Sequence, residues 1–230
     1  MTLYASLDAF ATYVSSLEKR IEATREKAAL HGHIVRCARG CTACCYLRVD
    51  ISAPAALRVA RALLRDGVAT PESKANLTED AKLGEVVRDD VEWLKLWRPC
   101  TFLSATGSCG VYHDRPFVCR KLLVTSDPAN CGEVGSAERG NITSIDAGPE
   151  QEHYRVAIAA FADRALLPKH GHLPMMVLWA LRALETMPTK EVAWTTPSSQ
   201  PSPSVPSSDS VASPSPLPGA DATAAKARRW

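Results

Sequence analysis

The chain has 230 residues, 46% of them apolar, and its 27 basic and 25 acidic side chains leave a formal charge of +2. That length and apolar content supply a core of ordinary size without help from disulfides. The near-balanced charge gives no one-signed field to draw in nucleic acid or an anionic membrane, and no stretch approaches the roughly 20 apolar residues of a membrane span.

The first residues, Met1 to Asp8, lack a basic start and an uninterrupted apolar run, and Glu18, Lys19 and Arg20 follow soon after. No secretory signal is expected, which places the chain in the reducing cytoplasm. There, eight cysteines read as a metal or redox set before they read as a disulfide scaffold. Leu3, Leu7, Phe10, Val14, Leu17 and Ile21 step by fours and threes, with Ala28 continuing the series. This spacing predicts an amphipathic helix of six or seven turns, ended by Gly32 and packed on the domain core.

Four cysteines then fall within nine residues: Cys37, Cys41, Cys44 and Cys45. If the segment is helical, their spacing puts four sulfurs within a roughly 100° arc of one face; Gly40 weakens such a helix, so a turn entering a helix near Thr42 is equally open. Ser52-Ala-Pro reads as the start of a helix that ends at Gly67. A further helix is predicted from about Ala75 to Trp97, stopped by Pro99. From Cys100 to Pro149 the chain is rich in glycine, proline, serine and aspartate, with only a short apolar run at Val118 to Val124 where a strand could form. Such a stretch needs an organiser other than a hydrophobic core, and a metal is the obvious one.

Two more helices are predicted near Glu150 to Leu167 and Leu173 to Met187. The Pro/Ser-rich segment from Thr195 onward cannot bury enough apolar surface to offset its ordering entropy. The expected organisation is a mainly α, cysteine-organised domain over 1–194 followed by a disordered tail over 195–230.

The second cysteine group lies in Pro99-Cys100-Thr-Phe-Leu103 and in Cys109-Gly-Val-Tyr112-His-Asp-Arg115-Pro116-Phe-Val-Cys119-Arg120. Together with the upstream CxxxCxxCC, these motifs make residues 37–131 resemble the YkgJ-type cysteine-cluster family of zinc- or iron-chelating domains. The resemblance implies a metal site ligated by Cys37, Cys41, Cys44, Cys45, Cys100, Cys109 and Cys119, with Cys131 outside the tight motif. Many members carry names such as iron–sulfur oxidoreductase. A related cysteine-rich region occurs in flagellin lysine N-methylases, which makes a protein lysine methyltransferase the more distant alternative.

Adjacent residues on a helix diverge by about 100°, so Cys44 and Cys45 would serve two centres or one bridging cluster more easily than one tetrahedral ion. A centre held by four thiolates is negatively charged, and Arg36, Arg39, Arg48, Arg115 and Arg120 flank the cysteines; Arg115 and Arg120 fall inside the motif and are the better candidates to offset that charge. Tyr112 is expected to pack its ring over the site. His31, His33 and His113 are further candidate ligands that a chain with eight thiols does not need.

No catalytic triad and no phosphate-cradling glycine loop is legible, so no catalytic residue is assigned. With one CxxC pair in place of the two that structural zinc commonly uses, the spacing favours an iron–sulfur centre over zinc. An electron-transfer or oxidoreductase role is the leading expectation. A zinc-stabilised, non-catalytic module that binds a protein partner through the first helix or the tail is the alternative.

Overall fold

In the computed structural model the described residues are 3–37, 40–125, 131, 144–146 and 170–186. They are mainly helical, with six α-helices in chain order: α1 Leu3–Leu30, α2 Ala53–Arg65, α3 Pro71–Val86, α4 Asp90–Lys95, α5 Val118–Lys121 and α6 Leu173–Glu185. Four three-residue strands make two separate antiparallel ribbons. β1 (Asp50–Ser52) pairs with β4 (His170–His172), and β2 (Leu122–Val124) with β3 (Ser144–Asp146). Among the described residues no helix is long and apolar enough to cross a membrane. The helix predicted near 150–167 and the Pro/Ser-rich tail lie outside the described residues.

α2 is the centre of the core because its sequence alternates alanine with larger aliphatics. Ala56, Leu57, Val59, Ala60 and Leu63 are essentially inaccessible to solvent, and the small residues let α6 approach closely. Met176, Val177, Ala180 and Leu181 of α6 fill that face, while Leu77 of α3 packs into the same cluster. Among the described side chains of α1, Val14, Leu17 and Ala28 are buried, and Gly32, at φ 77°, ends the helix as predicted.

The single helix predicted from Ala75 to Trp97 is two helices. Asp89 explains the break, since its Oδ1 accepts hydrogen bonds from the Val91 and Glu92 amides at 2.9 Å each, capping a new helix start where a continuous helix would have buried no carboxylate advantage. α3 itself begins earlier, at Pro71, where Thr70 Oγ1 accepts from the Ser73 amide at 3.1 Å. The break lets α4 fold back so that Trp93 meets the His172 ring edge-on, with centroids 4.9 Å apart.

His172 is the junction of three elements. It is buried at the start of α6, and a Cβ added at Gly84 of α3 would lie 1.9 Å from its Nδ1. Burial first, and the nearby Arg48 cation second, push the imidazole down to about 4 against the partial opposition of Asp50 and Asp80. Alongside, Asp80 is buried and pairs with Arg98, whose Nε donates to Oδ1 at 2.7 Å.

Two outcomes follow. Gly84→Ala forces a methyl into a rigid ring and should destabilise the fold by about 1–3 kcal/mol in chemical denaturation, the usual range for overpacking. The unfolded imidazole takes up a proton near 6.5 while the folded one does not until about 4. Stability from neutral burial is therefore complete above the higher value and falls as pH drops through that window. A His172→Gln variant should show a shallower decline over the same window.

Candidate metal centre

Among its described residues the first cysteine segment forms no α-helix. Residues 33–37 have no regular secondary structure, Gly40 takes φ 93°, and a 3-10 turn covers Ala43–Tyr46. The turn reading is therefore the one the structure shows. The upstream end is docked on the strand that follows Cys119: the Arg36 amide donates to the Val124 carbonyl at 2.7 Å, and the Val124 amide donates to Cys37 Sγ at 3.1 Å.

The second segment brings its sulfurs back by a tight turn. Ser104 N donates to Ser108 O and Gly110 N to Phe102 O, both at 2.8 Å, and Leu103 and Cys109 form an isolated antiparallel bridge. Gly107, at φ 75°, makes the tip possible. Phe102 and Val111 are buried in the core cluster and anchor this turn on α2 and α6. The two segments meet where the Cys100 amide donates to the Cys45 carbonyl at 2.6 Å. Next to that junction the Tyr46 and Trp97 rings stack with centroids 4.5 Å apart, and Trp97 takes the left-handed φ of 46°.

Cys44 is the hub. It interacts electrostatically with Cys37, Cys41, Cys100, Cys109 and Cys119 and is hydrogen-bonded to Cys45. In the 3-10 turn the neighbouring thiols of Cys44 and Cys45 are coupled to each other, which shifts them in opposite directions. Cys131 is partly buried and has an interacting neighbour, with the chain on both sides of it outside the described residues. Among the described residues no three His, Cys, Asp or Glu side chains are closed into a ready coordination shell.

The electrostatics divide the sulfurs. The hydrogen bond with Cys45 lowers the Cys44 thiol below the ordinary range, aided by Arg115, and the same bond raises Cys45. Burial pushes Cys100 up to about 12 and Cys119 higher still. Working against burial, the amides of Ala43, Phe102 and Val111 donate to Cys41, Cys100 and Cys109, each from two residues downstream. Those donors favour the thiolate over the thiol. The donor chemistry therefore fits a thiolate-ligated metal.

Of the flanking cations, Arg115 acts on Cys44, Cys109 and Cys119, and Arg120 acts on Cys109. Arg115 lies over the Tyr112 ring, 3.8 Å from its centroid, so Tyr112 supports the arginine. Arg48 turns away from the sulfurs and pairs with Asp50 at 2.7 Å. Arg36 is exposed, as are His31, His33 and His113, and Arg39 lies outside the described residues. None of the three histidines faces the sulfurs by any interaction on which the Cys44 cluster depends. Sequence reasoning missed the Tyr46–Trp97 stack and the Asp80–Arg98 pair, since neither follows a recognisable spacing.

Thiols in this number, contributed by two segments and electrostatically coupled through Cys44, are the donor set of a metal-chelating cysteine-cluster domain. Residues 36–133, less than half of the chain, match the model of the CxxCxxCC family, described as a "putative zinc- or iron-chelating domain". No curated protein and no solved structure matches the chain.

The opposite shifts of Cys44 and Cys45 are measurable. In reduced, metal-free full-length protein near pH 7, iodoacetamide followed by peptide mass spectrometry should label Cys44 before Cys45, because the thiolate is the nucleophile. Equal labelling of the two would contradict the shared-proton arrangement.

Proposed function

We propose that the protein is an iron–sulfur protein whose centre is held by Cys37, Cys41, Cys44, Cys45, Cys100, Cys109 and Cys119, with Cys131 as a candidate eighth ligand, and that it serves electron transfer or an oxidoreductase reaction. The observation that carries this reading is the electrostatic coupling of Cys44 to cysteines of both segments. One tetrahedral ion uses four thiolates. Seven motif cysteines exceed that need and suit a cluster, or two centres.

When bound, an iron–sulfur centre supplies reversible one-electron transfer at a potential set by its environment. The chain's own residues act on that environment. The amides of Ala43, Phe102, Val111 and Val124 donate to sulfur and stabilise its negative charge. Arg115 and Arg120 place positive charge beside the same sulfurs. Tyr46, directly after Cys45, is stacked on Trp97.

Zinc is the second reading, and one observation favours it: Cys41-Thr-Ala-Cys44 folds as a turn with the Ala43 amide on Cys41, the form a zinc knuckle takes. In that case the centre is structural, and α1, whose outer face carries Lys19, Arg20, Glu26 and Lys27, is the surface for a protein partner.

Anaerobic purification of the full chain with metal and acid-labile sulfide quantification separates the two. The iron–sulfur reading predicts a coloured protein containing both iron and sulfide, bleached by dithionite, with Cys44→Ser losing the metal entirely. A colourless protein with stoichiometric zinc and no sulfide would overturn it in favour of the second reading.

A further inference from the structure

A cavity of about 200 Å³ lies between α1 and the segment that carries Cys119. Cys37 and Cys119 line it, together with the side chains of Arg25, Arg115 and Arg120 and of Glu18 and Glu22. The charges in this wall are unequally committed. Arg120 is engaged by Glu18 and by the His113 carbonyl. Arg25 donates one bond, from Nη2 to the Cys37 carbonyl at 3.1 Å, and Arg115 one bond, from Nε to the Tyr112 carbonyl at 3.1 Å. Neither has a carboxylate partner among the described residues. Glu22 is solvent-exposed at the rim, whereas Arg25 and Arg115 are half-buried.

Two guanidinium groups, on separate elements and each held at one end by a backbone carbonyl, face one polar space. Arg115 is further fixed by the Tyr112 ring beneath it. A guanidinium held in this way presents its remaining N–H groups as a planar fork, the geometry that binds carboxylate and phosphate oxygens. The volume admits a small molecule and excludes a folded chain.

We propose that this cavity binds a small oxyanion, a carboxylate or phosphate, between Arg25 and Arg115, and so seats a small-molecule ligand against the Cys37 and Cys119 side of the cysteine cluster. The site is built from the protein's own side chains and does not depend on whether iron or zinc is bound. It gives the cluster a ligand-binding face, which a purely structural metal does not need. The competing role for the two arginines, to balance thiolate charge, requires no ligand and no cavity.

The test is calorimetric titration of the as-purified full chain with inorganic phosphate, acetate and succinate, with metal content measured on the same samples. The proposal expects saturable binding of at least one of these anions. Arg25→Gln and Arg115→Gln should each weaken it about tenfold or more, with binding expressed per metal-loaded protein, in keeping with the loss of a charge-assisted hydrogen bond. Arg115→Lys keeps the charge but loses the fork and should bind more weakly than wild type. Absence of saturable binding by all three anions would overturn the proposal, as would binding unchanged in Arg25→Gln. Loss of metal in both glutamine variants without any anion binding by the wild type would assign the arginines to charge balance instead.

Discussion

Thiolates buried close together repel one another, and each must be neutralised by a proton, a cation or a metal ion. That constraint governs how this chain is arranged around Cys44. Burial raises Cys37, Cys41, Cys100, Cys109 and Cys119 towards the protonated thiol. Backbone amides and Arg115 pull in the other direction at several of the same sulfurs. The two tendencies leave a site that is stable with protons aboard and prepared to exchange them for metal. Ligation by deprotonated sulfur is coupled to proton release, so metal affinity and pH are linked through this one neighbourhood.

The helical core makes the arrangement possible without itself contributing a ligand. α2 and α6 pack through alanines and short aliphatics, and their joint surface receives Phe102 and Val111. Those two residues carry the Cys100–Cys109 turn into contact with the first segment, where the Cys45 carbonyl accepts from the Cys100 amide. α1 closes the other side, joined to α5 by the Glu18–Arg120 pair and to the cysteine segment by Arg25. The hydrophobic scaffold and the polar centre are thus distinct layers that meet at a few anchored residues.

Much of this was legible in the sequence because it depends on local chemistry. The heptad-like steps in α1, the proline after Ser52 and the glycines at 32 and 67 mark real helix limits. The CxxxCxxCC motif with CxFL and CxxYxxRPxxCR falls on the two segments that meet at the Cys100 amide and the Cys45 carbonyl. What the sequence did not carry was set by tertiary geometry. Asp89 divides a run that looked continuous, since its capping value shows only when the backbone turns away. The meeting of Cys44 with Cys45 depends on a 3-10 turn that no periodicity announces, and the diversion of Arg48 to Asp50 depends on a strand pairing 120 residues along the chain, with His170 to His172. His172 itself was passed over because a buried histidine between helices has no spacing to betray it.

If metal staples the two cysteine segments onto a core that folds independently, its removal must loosen those segments and spare the core. Hydrogen–deuterium exchange on the full chain, before and after anaerobic chelation, tests this directly. Faster exchange over residues 36–46 and 100–124, with protection of α2 and α6 unchanged, is the predicted result. Identical exchange in both states, or loss of protection in α2 and α6 together with the cysteine segments, would contradict the account.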